Sequence, residues 1–366
     1  MTEGLTLTNI SRHVADGLNL RMPAEWERHT ATWLTWPTNR TTWPGPLLKE
    51  VENIYLQMIA ALLPGEKVHL LVRDKAAALK IRKALSPKKI PLSRLIFHEV
   101  KTVDTWIRDY GPIFVKGIAA GGLHPKIAFT KWIFNAWGEK YSDLAKDNKV
   151  VDRISYLKKY HRIDTDIVLE GGSIDVNGLG TCLTTEQCLL TKMRNPKLSK
   201  KGIENNLKKY LGIKKVIWLS EGIEADDTDG HVDDIARFVR PRTVVTVVEP
   251  DRTDKNHDIL KENLRLLKKS TDQEGNPLRI VELPMPGRVG KGRSDTNHNR
   301  LPASYANFYI ANKVVLLPLY SHPNDREALS VLKFSFKDRT IMPIECTPLV
   351  YGLGSIHCVT QQEPVD

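Results

Sequence analysis

Short apolar runs alternate along the whole chain with longer stretches of three-to-four-residue apolar spacing. VHLLVR (68–73), RLIFHEV (94–100), PIFVKG (112–117), KIAFTKWIF (126–134), KVIWLS (215–220), TVVTVVE (243–249), LRIVELPM (278–285) and TIMPIEC (340–346) are predicted strands. Two further segments read as hairpins: SIDVNGLGTCLTT (173–185), turning through Asn177 to Gly180, and ANFYIANKVVLLPLY (306–320), turning near Asn312. Helical spacing covers 46–63, 75–85, 198–210, 256–269 and 324–333. This alternation argues an α/β fold. Nothing repeats by identity, although five loose sets of strands with one helix each can be drawn. No Gly-, Ser- or Pro-rich linker divides the chain, so 1–366 reads as one domain. The longest irregular region is 271–300. Within it, GRVGKGRSDTNHNR (287–300) is a polar loop of a length often found in a lid or a mobile segment.

Composition narrows the class. A chain of 366 residues, 41% hydrophobic and 27% charged, can bury a large core. No apolar run has bilayer-spanning length, and the N-terminus lacks the basic and apolar regions of a secretory signal. The four cysteines, Cys182, Cys188, Cys346 and Cys358, form no CxxC pair and are too few for a disulfide scaffold. A reducing, cytoplasmic location is the expectation. The net charge is +11, with lysines clustered at 75–89, 197–209 and 261–270. Apolar residues recur among them at helical spacing and aromatics do not, so they read as solvated helix faces rather than a nucleic-acid groove. A cationic substrate would have to be drawn in by local acids.

Candidate chemistry lies in four segments. Cys358, in YGLGSIHCVTQQEP (351–364), is either a nucleophile presented by a Gly-rich turn or a small buried hydrophobe. In DDTDGHVDD (226–234), an extended HVD step would place His231 and Asp233 on one face. That segment reads as a solvated capping loop, a metal site or a general acid/base site, and no second histidine follows at ligand spacing. DTWIRDYGP (104–112) puts Asp109 at a strand end with Trp106 as a flat wall, or else holds a surface Arg–Asp pair and a core tryptophan. VLEGGSIDV (168–176) sets Glu170 before two glycines that permit a sharp turn or a close approach. A thiol, an imidazole, three carboxylates and a tryptophan suit a planar cation, since two carboxylates grip a guanidinium through paired hydrogen bonds.

These segments, with MPAEWERHTATWLTWP (22–37), FNAWGEKY (134–141), LEGGSIDVNGLGTCLTTEQCLL (169–190), RNPKLSK (194–200) and RLPASYANFYIANKVVLLP (300–318), resemble the agmatine deiminase family nearly end to end. That family includes the bacterial-type peptidylarginine deiminases. The resemblance implies a pentein α/β propeller, with five-fold pseudosymmetric ββαβ units around a central active-site cleft. It implies Cys358 as the nucleophile of a covalent amidino intermediate, His231 as general acid/base and Glu170 as the acid that orients it. Asp109 and Asp233 would bind the guanidinium and Trp106 would line the pocket. The implied reaction is agmatine plus water to N-carbamoylputrescine and ammonia, in putrescine biosynthesis. No cofactor, metal, nucleic acid or membrane is implied, and a homo-oligomer is.

Departures fall at GLGS (352–355), where agmatine-specific members carry three glycines and an asparagine, at WIRDYGP and after HVD. They leave the substrate tail open between agmatine, free arginine and peptidyl-arginine. An arginine carboxylate would need a cation, for which Arg237, Arg288 or Arg300 are candidates. The readings from other classes are a non-catalytic basic binding protein and a metal-dependent hydrolase.

Overall fold

The computed structural model describes residues 19–118, 127–158, 160–290 and 299–366. The N-terminal stretch read for a signal lies mostly outside these, as does most of the polar loop 287–300, at 291–298.

One module recurs five times: two antiparallel strands, a helix, then a strand parallel to the second. In chain order, Ile113–Ile118 and Ile127–Ile133 lead through helix Val150–Lys158 to His161–Val168. Asp175–Val176 and Thr181–Thr185 lead through Lys200–Leu211 to Lys215–Leu219. Ala236–Arg240 and Thr243–Val248 lead through Asn256–Lys269 to Arg279–Pro284. Tyr309–Ile310 and Val314–Leu319 lead through Asp325–Ser335 to Thr340–Glu345. The fifth module joins the two chain ends: Thr360–Pro364 pairs antiparallel with His29–Thr35, which passes through Leu47–Leu62 to the parallel strand Lys67–Val72. The expected α/β fold of five ββαβ units is present.

Local sequence explains these elements. Helix Leu47–Leu62 buries Leu48, Val51, Ile54, Tyr55, Met58, Ile59 and Leu62, a three-to-four-residue stripe against the core. Helix Lys200–Leu211 starts where the Ser199 side chain accepts from the Gly202 N–H, a cap contributing about 1 kcal/mol. It ends at Gly212, whose φ of +70° favours glycine and whose added Cβ would stand 1.8 Å from the Leu20 carbonyl oxygen. The lysines of the helices at 75–85, 200–211 and 256–269 lie mostly on exposed or half-buried faces, as expected.

Closure at the chain ends is what orders the C-terminal segment. Glu363 is buried, taking Trp33 Nε1 at 2.7 Å, Tyr160 Oη at 2.7 Å and Lys158 Nζ at 3.1 Å. Cys358 therefore stands on the approach to a buried, paired strand.

Candidate active site

The modules converge on one point. Two to five residues before the first strand of each stands a polar side chain: Asp109, Glu170, His231 with Asp233, Asn307, and Cys358. The corresponding ends of the five like modules meet, which is how residues 249 positions apart, such as Arg108 and His357, become neighbours.

Asp109 sits on a one-turn helix, Ile107–Tyr110, rather than at the strand end itself. Its Oδ1 accepts the Gly172 N–H at 3.0 Å and its Oδ2 accepts Trp137 Nε1 at 2.9 Å. Burial, with Asp233 and Glu170 nearby, pushes its carboxyl well above the usual range. Arg108 is not its surface partner. It is buried and hydrogen-bonded to Gln361, Gln362 and Glu25.

The HVD step is not extended. Val232–Asp234 is a single 3-10 turn, because Asp226 accepts the N–H groups of Gly230 and His231 and pins the loop that precedes it. His231 and Asp233 nonetheless meet. A Cβ on Gly172 would stand 2.6 Å from His231 Nδ1, 2.9 Å from Asp109 Oδ1 and 3.0 Å from Asp233 Oδ2. Close approach, not a turn, is what that glycine provides.

His231 is buried and neither ring nitrogen has a hydrogen-bond partner among the described residues; Nδ1 is 3.8 Å from Asp109 Oδ1. Burial takes it down to about 3, so its imidazole is neutral. Asp233 is the opposite case. Burial raises it, but the hydrogen bond and charge of His357 outweigh that and hold it low. One oxygen of Asp233 is engaged by His357 and the other, Oδ1, has no partner.

Cys358 is 6% exposed. Its thiol lies 4.0 Å from Asp233 Oδ2 and accepts from Asn307 Nδ2 at 3.2 Å. Burial and the charges of Asp233, Asp234 and Asp109 push the thiol well above its ordinary range, so it is protonated at neutral pH. Gly354 keeps Trp106 against it: a Cβ there would be 2.6 Å from Trp106 Cζ3 and 3.2 Å from Cys358 Cβ.

Glu170 stands within 4.8 Å of Cys188 and His231, measured between their possible metal-ligating atoms. A cation already occupies this carboxylate: Arg194 Nε lies 2.9 and 3.1 Å from its two oxygens. The Cys188 thiol is also pushed well up by burial, so a metal ion at this trio would have to displace both a guanidinium and a proton.

A cavity of about 600 Å³ leads inward. Its buried end is Trp106, Asp109, Trp137 and Cys358; its outer part includes Lys140, Asp143, Asp227 and Leu353. His231, Asp233 and Glu170 do not line it and sit behind this wall. Trp137 and Leu353 have φ of +56° and +74°, backbone strain of the kind that gathers at working sites.

All six expected residues are thus in one cluster. Arg194, Asn307 and Trp137 were missed. Each lies inside a segment that carries the family resemblance, but its spacing pointed to no partner. Among the described arginine candidates, Arg237 and Arg300 are buried in ion pairs with Glu25 and Asp175, and with Asp254 and Glu224. Arg288 is exposed, and none of the three lines the cavity.

The model of the Porphyromonas-type peptidyl-arginine deiminases matches residues 21–364. The chain belongs to this family. A Medicago truncatula relative named agmatine deiminase is 37% identical over 94% of this chain and 96% of its own. The solved structure of the agmatine deiminase of Enterococcus faecalis superposes with a TM-score of 0.85 at 34% identity, covering 95% of this chain and 96% of that one. A putative arginine deiminase from Porphyromonas gingivalis gives 0.83 at 36% identity, over 94% and 98%. Within the family, then, similarity runs to proteins named for both agmatine and arginine.

Proposed function

We propose that this family member is an agmatine deiminase, acting in polyamine metabolism, with Cys358, His231 and Glu170 as catalytic residues and Asp109, Asp233 and Trp106 as the substrate site. The observation that carries this is the meeting of Asp109, Asp233 and His231 around Gly172, with the Cys358 sulfur 4.0 Å from Asp233.

The pairing of a protonated thiol with a neutral imidazole sets the order of events. A guanidinium entering beside Asp109 and Asp233 brings positive charge to a site whose acids suppress the thiolate. It favours ionisation of Asp109 and lowers the cost of forming the thiolate. His231 takes the thiol proton, and Glu170 stabilises the imidazolium electrostatically. The sulfur bonds to the guanidinium carbon. The tetrahedral adduct then breaks its C–N bond to an amino group, which leaves as ammonia with the proton from His231. Water adds to the amidino-cysteine carbon, giving its proton to His231. The C–S bond breaks, returning the electron pair to sulfur. The adduct's hydroxyl proton is lost to solvent, releasing N-carbamoylputrescine with a neutral urea group, and His231 returns its proton to the thiolate. This needs no cofactor.

The tail preference follows from the cavity. No lining residue is an arginine that could take a carboxylate, and Asp227 stands in its outer part, where it favours the amine of agmatine. Lys140 is paired with Asp229, and Lys146 with Asp143. A free-arginine or peptidyl-arginine substrate is the alternative, and it is the reading that the name of the Porphyromonas gingivalis structure favours. Cys358→Ala is the test: it abolishes ammonia release and still binds agmatine. Undiminished turnover would reject the assignment.

A further inference from the structure

The residue before the nucleophile is clamped between two carboxylates. His357 Nδ1 lies 2.6 Å from Asp233 Oδ2 and His357 Nε2 lies 2.8 Å from Glu25 Oε2, all in the interior. An ionised carboxylate only accepts hydrogen bonds, so an imidazole that meets one at each nitrogen donates from both and carries both protons. The surrounding charges then balance: His357, Arg108 and Arg237 against Glu25, Asp175 and Asp233. Glu25 is the hub, with Arg237 Nη2 at 2.8 Å, Arg108 Nη2 at 3.4 Å and the Ile310 N–H at 2.8 Å. Arg237 Nε reaches Asp175 at 2.6 Å. Without a cation at position 357, this buried cluster would hold an uncompensated negative charge, which a protein interior disfavours strongly.

The His357 backbone is held independently. Its N–H donates to Asn307 Oδ1 at 2.8 Å, and its carbonyl accepts Arg108 Nε at 3.3 Å. The loop that presents Cys358 is therefore fixed without the imidazole. What the imidazole holds is Asp233.

We propose that His357 is a positioning residue: its imidazolium, braced by Glu25, fixes the Asp233 carboxylate and leaves the second oxygen of that carboxylate free for the substrate guanidinium. This rests on the deimination reading for the identity of the substrate. The other ionisable groups acting at Asp233 are Cys358, Asp109, Asp226, Asp234 and His231, beside Arg237 and Arg108.

The test is agmatine binding by calorimetry to Cys358→Ala alone and combined with His357→Asn, His357→Gln or His357→Ala. Binding needs no turnover, so this arm survives a failure of the deimination reading. Asn keeps a donor toward Asp233; Gln reaches toward Glu25 instead. The expected order of affinity is parent, Asn, then Gln and Ala. The weakest variants bind roughly tenfold to a hundredfold less tightly, the range for a lost hydrogen bond to a charged group. Equal affinity in all four, or Gln binding better than Asn, overturns the proposal. With Cys358 restored, His357→Asn raises KM more than it lowers kcat. It also moves the acid limb of kcat/KM to higher pH, because Asp233 loses the partner that holds it low. A fall in kcat with KM and the limb unchanged also overturns it. Should the position-357 variants fail to fold, Glu25→Gln removes the brace from the far side, and unchanged affinity there contradicts the proposal.

Discussion

Arg194 holds both oxygens of Glu170 through one nitrogen, Nε, at 2.9 and 3.1 Å. Its other two nitrogens reach Asp229 Oδ2 at 2.8 Å and the Thr228 carbonyl at 2.6 Å. One guanidinium thus joins the second module's acid to the loop that carries His231. Truncation would leave Glu170 buried and uncompensated. Arg194→Met should lose about 3–5 kcal/mol of stability, the range for breaking a buried pair from one side. It should lower kcat with it. Denaturant unfolding and steady-state kinetics check this; an unchanged midpoint with full kcat would contradict it.

Gly172 has no room for a methyl group, since His231 Nδ1, Asp109 Oδ1 and Asp233 Oδ2 lie within 3.0 Å of where it would go. Gly172→Ala should leave the fold intact and cost roughly 100-fold in kcat/KM, the scale of a misplaced reacting group. Kinetics beside circular dichroism decide it, and near-normal turnover would mean the convergence is not the working site.

Asp233→Asn should push two observables in opposite directions. Removing its charge takes away one cause of the raised Cys358 thiol, after burial. Alkylation of Cys358 by iodoacetamide at pH 8 should therefore speed up, because more thiolate is present. Turnover of agmatine should fall. In the parent protein, alkylation should be slow at pH 7 and climb with pH through the alkaline range. If Asp233→Asn slowed alkylation as well, the electrostatic account of this thiol would be wrong.

Asn307→Ala should slow alkylation. Asn307 Nδ2 donates to the sulfur at 3.2 Å, so its loss removes a donor to the thiolate. Mass-spectrometric labelling rates at fixed pH, compared with the Asp233→Asn series, separate the two residues. A rate at or above the parent value would remove Asn307 from the nucleophile's environment.

Much of this was legible in the chain. The expected helix at 256–269 is Asn256–Lys269, and the expected strand at 243–249 is Thr243–Val248, because hydrophobic periodicity reports local packing directly. The strand His161–Val168 was overlooked, although Ile163, Thr165 and Ile167 alternate with Asp164 and Asp166 in the required period of two. The turn at Val232–Asp234 was misread because its shape is set by Asp226 side-chain bonds, which no period encodes. Glu25 and His357 were invisible as a pair. They are 332 positions apart in the chain, and only the pairing of Thr360–Pro364 with His29–Thr35 brings the two segments together.

The central claim is that Cys358 deiminates a guanidinium carrying an amine tail. Ammonia release measured side by side from agmatine, free arginine and a blocked arginyl peptide, with Cys358→Ala as control, tests it most directly. The account predicts turnover of agmatine alone, lost in the variant. Turnover of arginine or the peptide in preference would keep the thiol chemistry and contradict the amine-reading cavity. Ammonia release that survives Cys358→Ala, or none from any of the three, would contradict the chemistry itself.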